Sequence, residues 1–202
     1  GDEVYVGLFI GSHNKEVVEE GVFSDVRITV PAREGLVQYQ EYLGSRVEVL
    51  DIESGKREIV YNSPKSLQAP NWTADGESLI YNSEGLMYKF DLATRTPEII
   101  PTGNVKNNNN DHVLSFDGQM LGLSSGVPDL GGSIVYTVPV TGGTPKQITP
   151  KGPSYLHGWS PDGKYLLFTG QRNDEFDIYR IPSEGGPEEQ LTTAKGLDDG
   201  SE

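Results

Sequence analysis

The sequence predicts an all-β fold made of repeated four-stranded antiparallel units, and three observations support this. Glycine and proline are abundant, at 25 and 13 of 202 residues, which is typical of short strands joined by tight turns. An Asp-Gly pair recurs at Asp75, Asp117 and Asp162, with spacings of 42 and 45 residues. Short apolar strands with turn residues between them follow each pair. Four short strands in every repeat of about 40 to 45 residues are typical of β-propeller blades, so we expect a propeller.

Residues 1–34 do not follow the repeat and predict a short N-terminal β-hairpin. We expect its strands at Val4–Ile10 and Val22–Ile28, with residues 31–35 as the linker to the repeats. The pattern V-G-L-x-x-x-S-H-N followed by F-x-x-V-R-I resembles the closing strands of a concanavalin-like β-sandwich. That resemblance implies either the remnant of a separate upstream domain or a hairpin that packs on the propeller.

Residues 35–202 predict about four blades, of which the first shows only three strands. Those three are expected near Gln38–Leu43, Arg46–Asp51 and Arg57–Tyr61. In each later unit an inner strand precedes the Asp-Gly turn, and three strands follow it. The strands expected after the turns are Ser78–Asn82, Leu86–Leu92, Glu98–Pro101, Gln119–Ser124, Ser133–Val140, Lys146–Thr149, Tyr165–Thr169, Asp177–Pro182 and Glu189–Thr192.

The turns and their flanking aromatic residues are expected to repeat structurally. Glycine accepts the positive φ that a tight hairpin turn needs, which accounts for the Asp-Gly pairs. An aromatic side chain lies close before each pair, at Trp72, Phe116 and Trp159. We expect these three rings to be buried at equivalent positions between neighbouring blades.

The third complete repeat resembles a known family. The segment Trp159-Ser-Pro-Asp-Gly-Lys-Tyr-Leu-Leu-Phe, followed by Asp177-Ile-Tyr-Arg-Ile and Gln190-Leu-Thr, is similar to the WD40-like PD40 repeat of the TolB family. The family's propeller has six blades, and the resemblance covers residues 39–202. It implies that about four of six blades are present and that the propeller is incomplete at its C-terminal side. A closed four-bladed ring is the alternative.

Composition excludes several classes of function. Lys and Arg total 16 while Asp and Glu total 30, for a net charge of −14, which argues against nucleic-acid binding and against adhesion to anionic membranes. No apolar run approaches the roughly 18 residues of a membrane span, so no membrane insertion is expected. The chain has no cysteine, which excludes disulfides and thiolate metal sites. The acidic excess would suit a basic protein partner.

Two histidines occupy equivalent positions in adjacent blades. His112 and His157 each precede an Asp-Gly aspartate by five residues, at the entry of the innermost strand. In a propeller that end lines the mouth of the central channel, and Asp111, Asp198 and Asp199 are expected near the same rim. Imidazole and carboxylate groups converging there could bind a polar ligand or a divalent cation, with His112 and His157 as metal ligands. The alternative is that the histidines only support the strand ends.

Two other segments have simpler interpretations. Gly122-Leu-Ser124-Ser-Gly126 matches the G-x-S-x-G motif of a nucleophile elbow, but that motif requires a strand-to-helix turn. Here it falls at a strand-to-strand hairpin, so we expect a polar hairpin residue and no catalytic serine. Asn107–Asn110 is expected to be a solvated connection.

The TolB resemblance implies a non-catalytic binding scaffold of the bacterial cell envelope, periplasmic or envelope-associated, that engages a protein or peptide partner at the channel mouth. No cofactor is expected beyond the possible divalent cation. Related propellers leave two enzymatic alternatives. One is a metal-assisted carbohydrate-active enzyme resembling oligogalacturonate lyase, which would use His112, His157 and Asp199, and the other is the propeller domain of a prolyl-peptidase-like protein. An open ring would also expose a strand edge through which molecules could associate.

Overall fold

The computed structural model describes residues 16, 18, 20–24, 26, 34–37 and 41–201, and almost all regular structure among them is β-strand. The chain divides into two compact units, residues 1–37 and 38–202. Within the described ranges the only helix is a three-residue 3₁₀ turn, Pro128–Leu130, so none there is long and apolar enough to cross a membrane. The strands are β1 Ser45–Leu50, β2 Arg57–Ser63, β3 Gln68–Trp72, β4 Ser78–Ser83, β5 Leu86–Asp91, β6 Thr96–Ile100, β7 Asn108–Leu114, β8 Met120–Val127, β9 Gly132–Pro139, β10 Lys146–Gln147, β11 Ser154–Trp159, β12 Tyr165–Arg172, β13 Glu175–Pro182 and β14 Glu189–Gln190.

Blades two, three and four are three successive four-stranded antiparallel sheets. Blade two has the order β3-β4-β5-β6, blade three β7-β8-β9-β10 and blade four β11-β12-β13-β14. Each blade is therefore a simple meander in which strands that are neighbours in sequence are also hydrogen-bonded neighbours. Inner strands of successive blades approach one another, since β7 contacts both β3 and β11. The predicted all-β propeller architecture is confirmed.

Blade one is a two-stranded sheet of β1 and β2 among the described residues. The third strand expected there, near Gln38–Leu43, lies partly outside the described residues, and its described part, 41–43, is irregular. Of the predicted N-terminal hairpin, the strand Val4–Ile10 lies entirely outside the described residues. In the other strand, the described residues 22–24 and 26 are not in a strand.

The hydrophobic core lies between the blades. Side chains of a strand alternate between its two faces, so a blade with apolar residues on both faces can pack against a neighbour on each side. Ile80 and Met87 of blade two pack with Leu121 and Leu123 of blade three. A second cluster joins blade three to blade four, and its members include Val135, Leu156, Leu166 and Phe168.

The Asp-Gly turns are built identically in the three complete blades. In blade three the Ser115 hydroxyl donates to Asp117 Oδ1 at 2.6 Å and accepts the Met120 backbone N–H at 2.9 Å. Gly118 adopts φ +68°, and its counterparts in the other two turns both have φ +72°, as predicted. The same hydroxyl–carboxylate pair forms in the other two turns, between Thr73 and Asp75 and between Ser160 and Asp162.

The prediction that three equivalent aromatic residues are buried is wrong for two of them. Trp159 is only 8% exposed, whereas Trp72 is 52% and Phe116 is 68% exposed. Phe116 follows the turn serine, so it occupies the position of Pro161, and Leu114 is the true counterpart of the tryptophans. Trp72 has the right position, but no inner strand of blade one covers it among the described residues.

The G-x-S-x-G segment joins blade three to blade four. Ser124 is fully buried in β8, and its hydroxyl accepts the backbone N–H of Leu156 at 2.8 Å. A Cβ at Gly122 would collide with the Leu156 side chain, so this glycine allows the next blade to approach. The hydroxyl therefore serves inter-blade packing, as expected for a residue that is not a nucleophile, but Ser124 lies within β8 and not at the hairpin where the sequence predicted it. Asn108, by contrast, starts strand β7 and is buried, so the segment Asn107–Asn110 is not the solvated connection that the sequence predicted.

Candidate functional site

The inner strands β3, β7 and β11 form the walls of a cleft with a volume of about 560 Å³. Both predicted histidines and one predicted aspartate line it, because the three strands belong to successive copies of the same repeat. Its lining is mixed, with both polar and apolar residues from each of the inner strands. The lining residues are Ala69, Pro70, Asn71, Asn110, Asp111, His112, Val113, Leu114, Phe116, Leu156, His157, Gly158 and Trp159.

Three predicted site residues, Asp111, His157 and Asp199, lie close to one another at this cleft. His157 Nε2 lies 3.1 Å from Asp199 Oδ1, so the two form an ion pair when the imidazole is protonated. Burial raises the pKa of Asp111, and the charge of Asp199 raises it further, while His157 opposes the shift. The two carboxylates together with the imidazole form a polar group that favours a cationic or hydrogen-bond-donating partner.

Asp199 is held in place by blade four and by its own loop. Its Oδ1 accepts the Thr169 hydroxyl at 2.8 Å and the Gly200 backbone N–H at 2.8 Å. The Thr169 hydrogen bond is the main cause that lowers the pKa of Asp199. Sequence analysis did not identify Thr169 as part of the site, although it pairs with Tyr155 on the adjoining inner strand, two residues before His157.

His112 lies in the same cleft but in a different environment from His157. It is buried, and burial lowers the pKa of its imidazole, which favours the neutral form. Its backbone carbonyl accepts the Asn71 side-chain amide at 3.3 Å, which ties β7 to blade two. Equal spacing in the sequence thus places both histidines at the cleft, and the pairing of both inner strands is irregular near them, but His112 is buried whereas the side chain of His157 is 22% exposed.

Asp198 does not line the cleft. Its backbone N–H donates to the Phe176 carbonyl at 3.0 Å, which fixes the loop that presents Asp199. Across the described part of the chain, no three His, Cys, Asp or Glu side chains are grouped so that they could hold a metal ion. The metal site at His112 and His157 therefore stays a prediction.

Phe116 extends the cleft toward the face of the molecule that carries the Asp-Gly turns. Its ring is exposed, and it also lines a second groove of about 250 Å³ between the turns of blades three and four. Pro161 and Trp159 form part of the same groove. Sequence analysis missed this surface because it assigned Phe116 to the core. Aligning Leu114 with Trp159 would have revealed it.

The cleft between β3, β7 and β11, called the channel cleft below, can therefore bind a ligand that has both a polar and an apolar group. The carboxylates of Asp111 and Asp199 attract a donor or a cation, while Phe116 offers an apolar contact. Such a combination of polar anchors and exposed aromatic surface is typical of sites that bind peptides or protein loops.

Comparisons with known proteins agree with the architecture. The profile of the family described as TolB beta propeller domain matches residues 35–201. The chain is 43% identical over 157 residues to the uncharacterized protein Atu1656 of Agrobacterium fabrum, which amounts to 77% of this chain and 53% of that protein. A solved structure of a TolB candidate from Agrobacterium tumefaciens is also 43% identical, with a TM-score of 0.72, covering 77% of this chain and 56% of that chain.

A more distant relative has a name that refers to its cellular system. The Tol-Pal system protein TolB of Bordetella pertussis is 28% identical over 146 residues, which are 69% of this chain and 32% of that protein. The chain thus spans about half the length of the Agrobacterium proteins and about a third of the Bordetella one.

Proposed function

Because the chain belongs to the TolB β-propeller family, we propose that it is a non-catalytic binding scaffold of the bacterial cell envelope, periplasmic or envelope-associated, which engages a protein or peptide at its channel cleft. The Bordetella relative is named as a Tol-Pal system protein, which supports a protein partner and an envelope location.

The observation that carries the proposal is that Asp111, His157 and the exposed Phe116 line one cleft of about 560 Å³, in which Asp199 pairs with His157. Carboxylates in such a site attract a lysine, an arginine or a free amino terminus, and the aromatic ring adds apolar contact area. The net charge of −14 favours association with a basic partner over the whole surface as well.

A scaffold is preferred to an enzyme because the serine of the G-x-S-x-G segment has a structural contact. Ser124 is buried and accepts a backbone N–H from the next blade, so its hydroxyl does not face the cleft as a nucleophile would. The lyase alternative would need further ligands around His112 and His157, and no specific arrangement of the described residues favours it.

Site-specific photo-crosslinking tests the proposal whatever the identity of the partner. A benzoylphenylalanine is placed at Phe116 in the complete protein, expressed in its source bacterium, and the crosslinked products are identified by mass spectrometry. The matched control position is Ile99, which is 58% exposed against 68% for Phe116 but lies on the outer strand β6.

We expect a discrete protein adduct at position 116 that is absent at position 99. Adding Asp111→Ala and His157→Ala should reduce its yield, because the polar anchor of the partner is then lost. Equal crosslinking at both positions, or an adduct that the double substitution leaves unchanged, would contradict binding at the channel cleft.

A further inference from the structure

The Asp-Gly turns of blades three and four enclose an open groove with a volume of about 250 Å³, called the turn groove below. Its lining combines apolar side chains with carboxylates. The apolar side chains are those of Phe116, Met120, Trp159 and Pro161, and the carboxylates are those of Asp117, Asp162 and Glu184. Phe116 and Trp159 also line the channel cleft, whereas none of the three carboxylates does.

The corresponding turns of blades two and three approach each other more closely. A Cβ at Gly118 would lie 3.2 Å from the Cβ of Ala74 in the preceding turn, whereas a Cβ at Gly163 would have no atom of the described residues within 4 Å. The space beside Gly163 is open although the large Phe116 stands where blade two has Ala74. The Phe116 ring therefore does not fill the gap between the turns, and it is 68% exposed.

Two of the three carboxylates in the turn groove are already paired with lysines. Asp162 Oδ2 lies 2.9 Å from Lys164 Nζ, and Glu184 forms an ion pair with Lys146. Asp117 has no lysine or arginine partner among the described residues, and the described residues that line the groove include no basic side chain. The turn groove therefore carries one uncompensated negative charge, next to an exposed aromatic ring.

The Asp117 carboxylate is held in position through one of its oxygens and has the other available. Oδ1 accepts the Ser115 hydroxyl at 2.6 Å and the Gln119 backbone N–H at 3.0 Å. These hydrogen bonds lower the pKa of Asp117, so the carboxyl is ionised at neutral pH. Oδ2 accepts no hydrogen bond within the described part of the chain, so it can accept one from a partner.

Elsewhere in this chain an aromatic ring and a carboxylate together hold an arginine. The guanidinium of Arg180 lies over the ring of Tyr165, 4.8 Å from its centroid, and Arg180 Nη2 lies 2.8 Å from Glu189 Oε2. A guanidinium can make both contacts at once, because its flat face is attracted to an aromatic face while its edge carries N–H donors for a carboxylate. A lysine ammonium has no such planar face.

We propose that the turn groove binds an arginine side chain of a partner protein. The guanidinium would stack on the Phe116 ring and donate to Asp117 Oδ2, and its methylene groups would contact Pro161 and Trp159. This contact extends the proposed function to a second surface and rests on it only for the nature of the partner, a protein. It does not require binding at the channel cleft, which Asp117 does not line.

Two-dimensional ¹H–¹⁵N NMR of the 202-residue chain tests the proposal with N-acetyl-L-arginine methylamide as the probe. The citrulline analogue has nearly the same shape but no charge, and the lysine analogue has the charge but no planar group. We expect the arginine compound to shift the backbone amide signals of Asp117, Gly118 and Gly163 in a saturable way, with a dissociation constant of roughly millimolar. The lysine compound should bind more weakly, and the citrulline compound should give no saturable shift.

Three variants locate the binding. Asp117→Asn removes the charge but keeps an oxygen for the Ser115 hydroxyl, and it should weaken arginine binding by about tenfold. Phe116→Ala introduces the residue that blade two has at this position, so the turn should still form, and the loss of the ring should weaken binding by about two- to fivefold. Asp75→Asn is the matched control, because Asp75 occupies the same turn position in blade two but does not line the groove, and it should leave binding unchanged.

Several outcomes would overturn the proposal. They are the absence of a saturable shift at Asp117, Gly118 and Gly163, equal binding of the citrulline or lysine compound, and binding that survives both Asp117→Asn and Phe116→Ala. If thermal melting shows that Asp117→Asn does not fold, Phe116→Ala decides. Shifts confined to the signals of Asp111 and His157 would overturn the turn groove while supporting the channel cleft, so the two proposals can fail separately.

Discussion

At the scale of single residues, the repeat depends on a hydroxyl and a carboxylate more than on the proline of the family motif. Thr73, Ser115 and Ser160 all donate to the aspartate two residues later. Each hydroxyl also accepts the backbone N–H that starts the next strand. The residue between hydroxyl and carboxylate varies among alanine, phenylalanine and proline because its side chain takes no part in this network.

Removing one of these hydroxyls should measurably destabilise the chain. Ser115→Ala removes the acceptor of the half-buried Met120 N–H and leaves Asp117 with only the Gln119 backbone N–H as donor in the turn, so we expect a loss of about 1 kcal/mol in the free energy of unfolding. Urea denaturation measures it. Ser115→Thr is the control and should retain nearly full stability, because blade two uses a threonine at this position. Equal losses in both variants would mean that packing, and not the hydroxyl, matters.

The turn aspartates should also make stability depend on pH in the acid range. Hydrogen bonds from the neighbouring hydroxyl lower the pKa of Asp75 and Asp117, and Lys164 together with Ser160 lowers that of Asp162. A carboxyl whose folded pKa lies below its unfolded value of 3.8 stabilises the fold above that value, and loses this contribution as pH falls through the folded pKa.

We therefore expect the free energy of unfolding to decline below about pH 4 and to keep declining toward about pH 2. Urea titrations across this range measure the slope. The variant with Asp75→Asn, Asp117→Asn and Asp162→Asn should show a shallower slope. An unchanged slope would show that these three groups do not dominate acid sensitivity.

At the scale of elements, the hairpins limit how closely the blades can pack. The β4–β5 turn uses Glu84 at φ +50° and Gly85 at φ +79°. The backbone N–H of Asn108 donates to the Gly85 carbonyl at 3.1 Å, which brings the hairpin against the start of blade three. A Cβ at Gly85 would collide with the Lys106 carbonyl oxygen. Glycine is thus required at position 85 both by its positive φ and by the nearby backbone of Lys106.

Two glycine substitutions separate these requirements. Gly163→Ala introduces a side chain at φ +72° with no atom within 4 Å, so it should cost only the backbone strain of roughly 1 to 2 kcal/mol. Gly85→Ala adds a collision with a backbone carbonyl, so its cost should be larger by roughly 1 to 3 kcal/mol. Comparison of urea midpoints tests the difference. Equal losses of stability in the two variants would mean that the backbone around Lys106 shifts to admit the added Cβ with no cost in free energy.

At the scale of the whole molecule, each blade is stabilised mainly by its immediate neighbours. Trp159 donates from Nε1 to the Val113 carbonyl at 3.1 Å, and Ser124 accepts from Leu156, so two hydrogen bonds join blade three to blade four across their apolar contact. Repeat proteins whose units touch only adjacent units have stabilities that are nearly sums of unit and interface contributions. Loss of one interface should therefore lower the free energy of unfolding and also allow the blades on its two sides to unfold separately.

The two equivalent tryptophans provide the test. Trp159→Ala should lower the free energy of unfolding by about 3 to 5 kcal/mol and broaden the urea transition, because it opens the interface between blades three and four. Trp72→Ala removes the same side chain at the same repeat position, but that ring is 52% exposed, so its loss should be much smaller. Similar losses in the two variants would contradict the assignment of Trp159 as an inter-blade residue.

The sequence by itself determined the repeat, and with it the architecture. Alternating apolar residues, the spacing of the Asp-Gly pairs and the positive φ of turn glycines are local properties, and they placed most strands of blades two to four close to their observed bounds. They also brought Asp111, His112 and His157 to one cleft, because equivalent residues of successive inner strands must lie side by side.

Only the tertiary structure decided burial and partners. The exposure of Trp72 and Phe116 depends on what the neighbouring blade places against them, and so does the difference in burial between His112 and His157. Thr169 reaches Asp199 across 30 residues, and the Asn82 side-chain amide donates to the Asn108 backbone carbonyl across 26 residues, from blade two to blade three. These contacts arise between segments far apart in the chain, so local sequence patterns do not encode them.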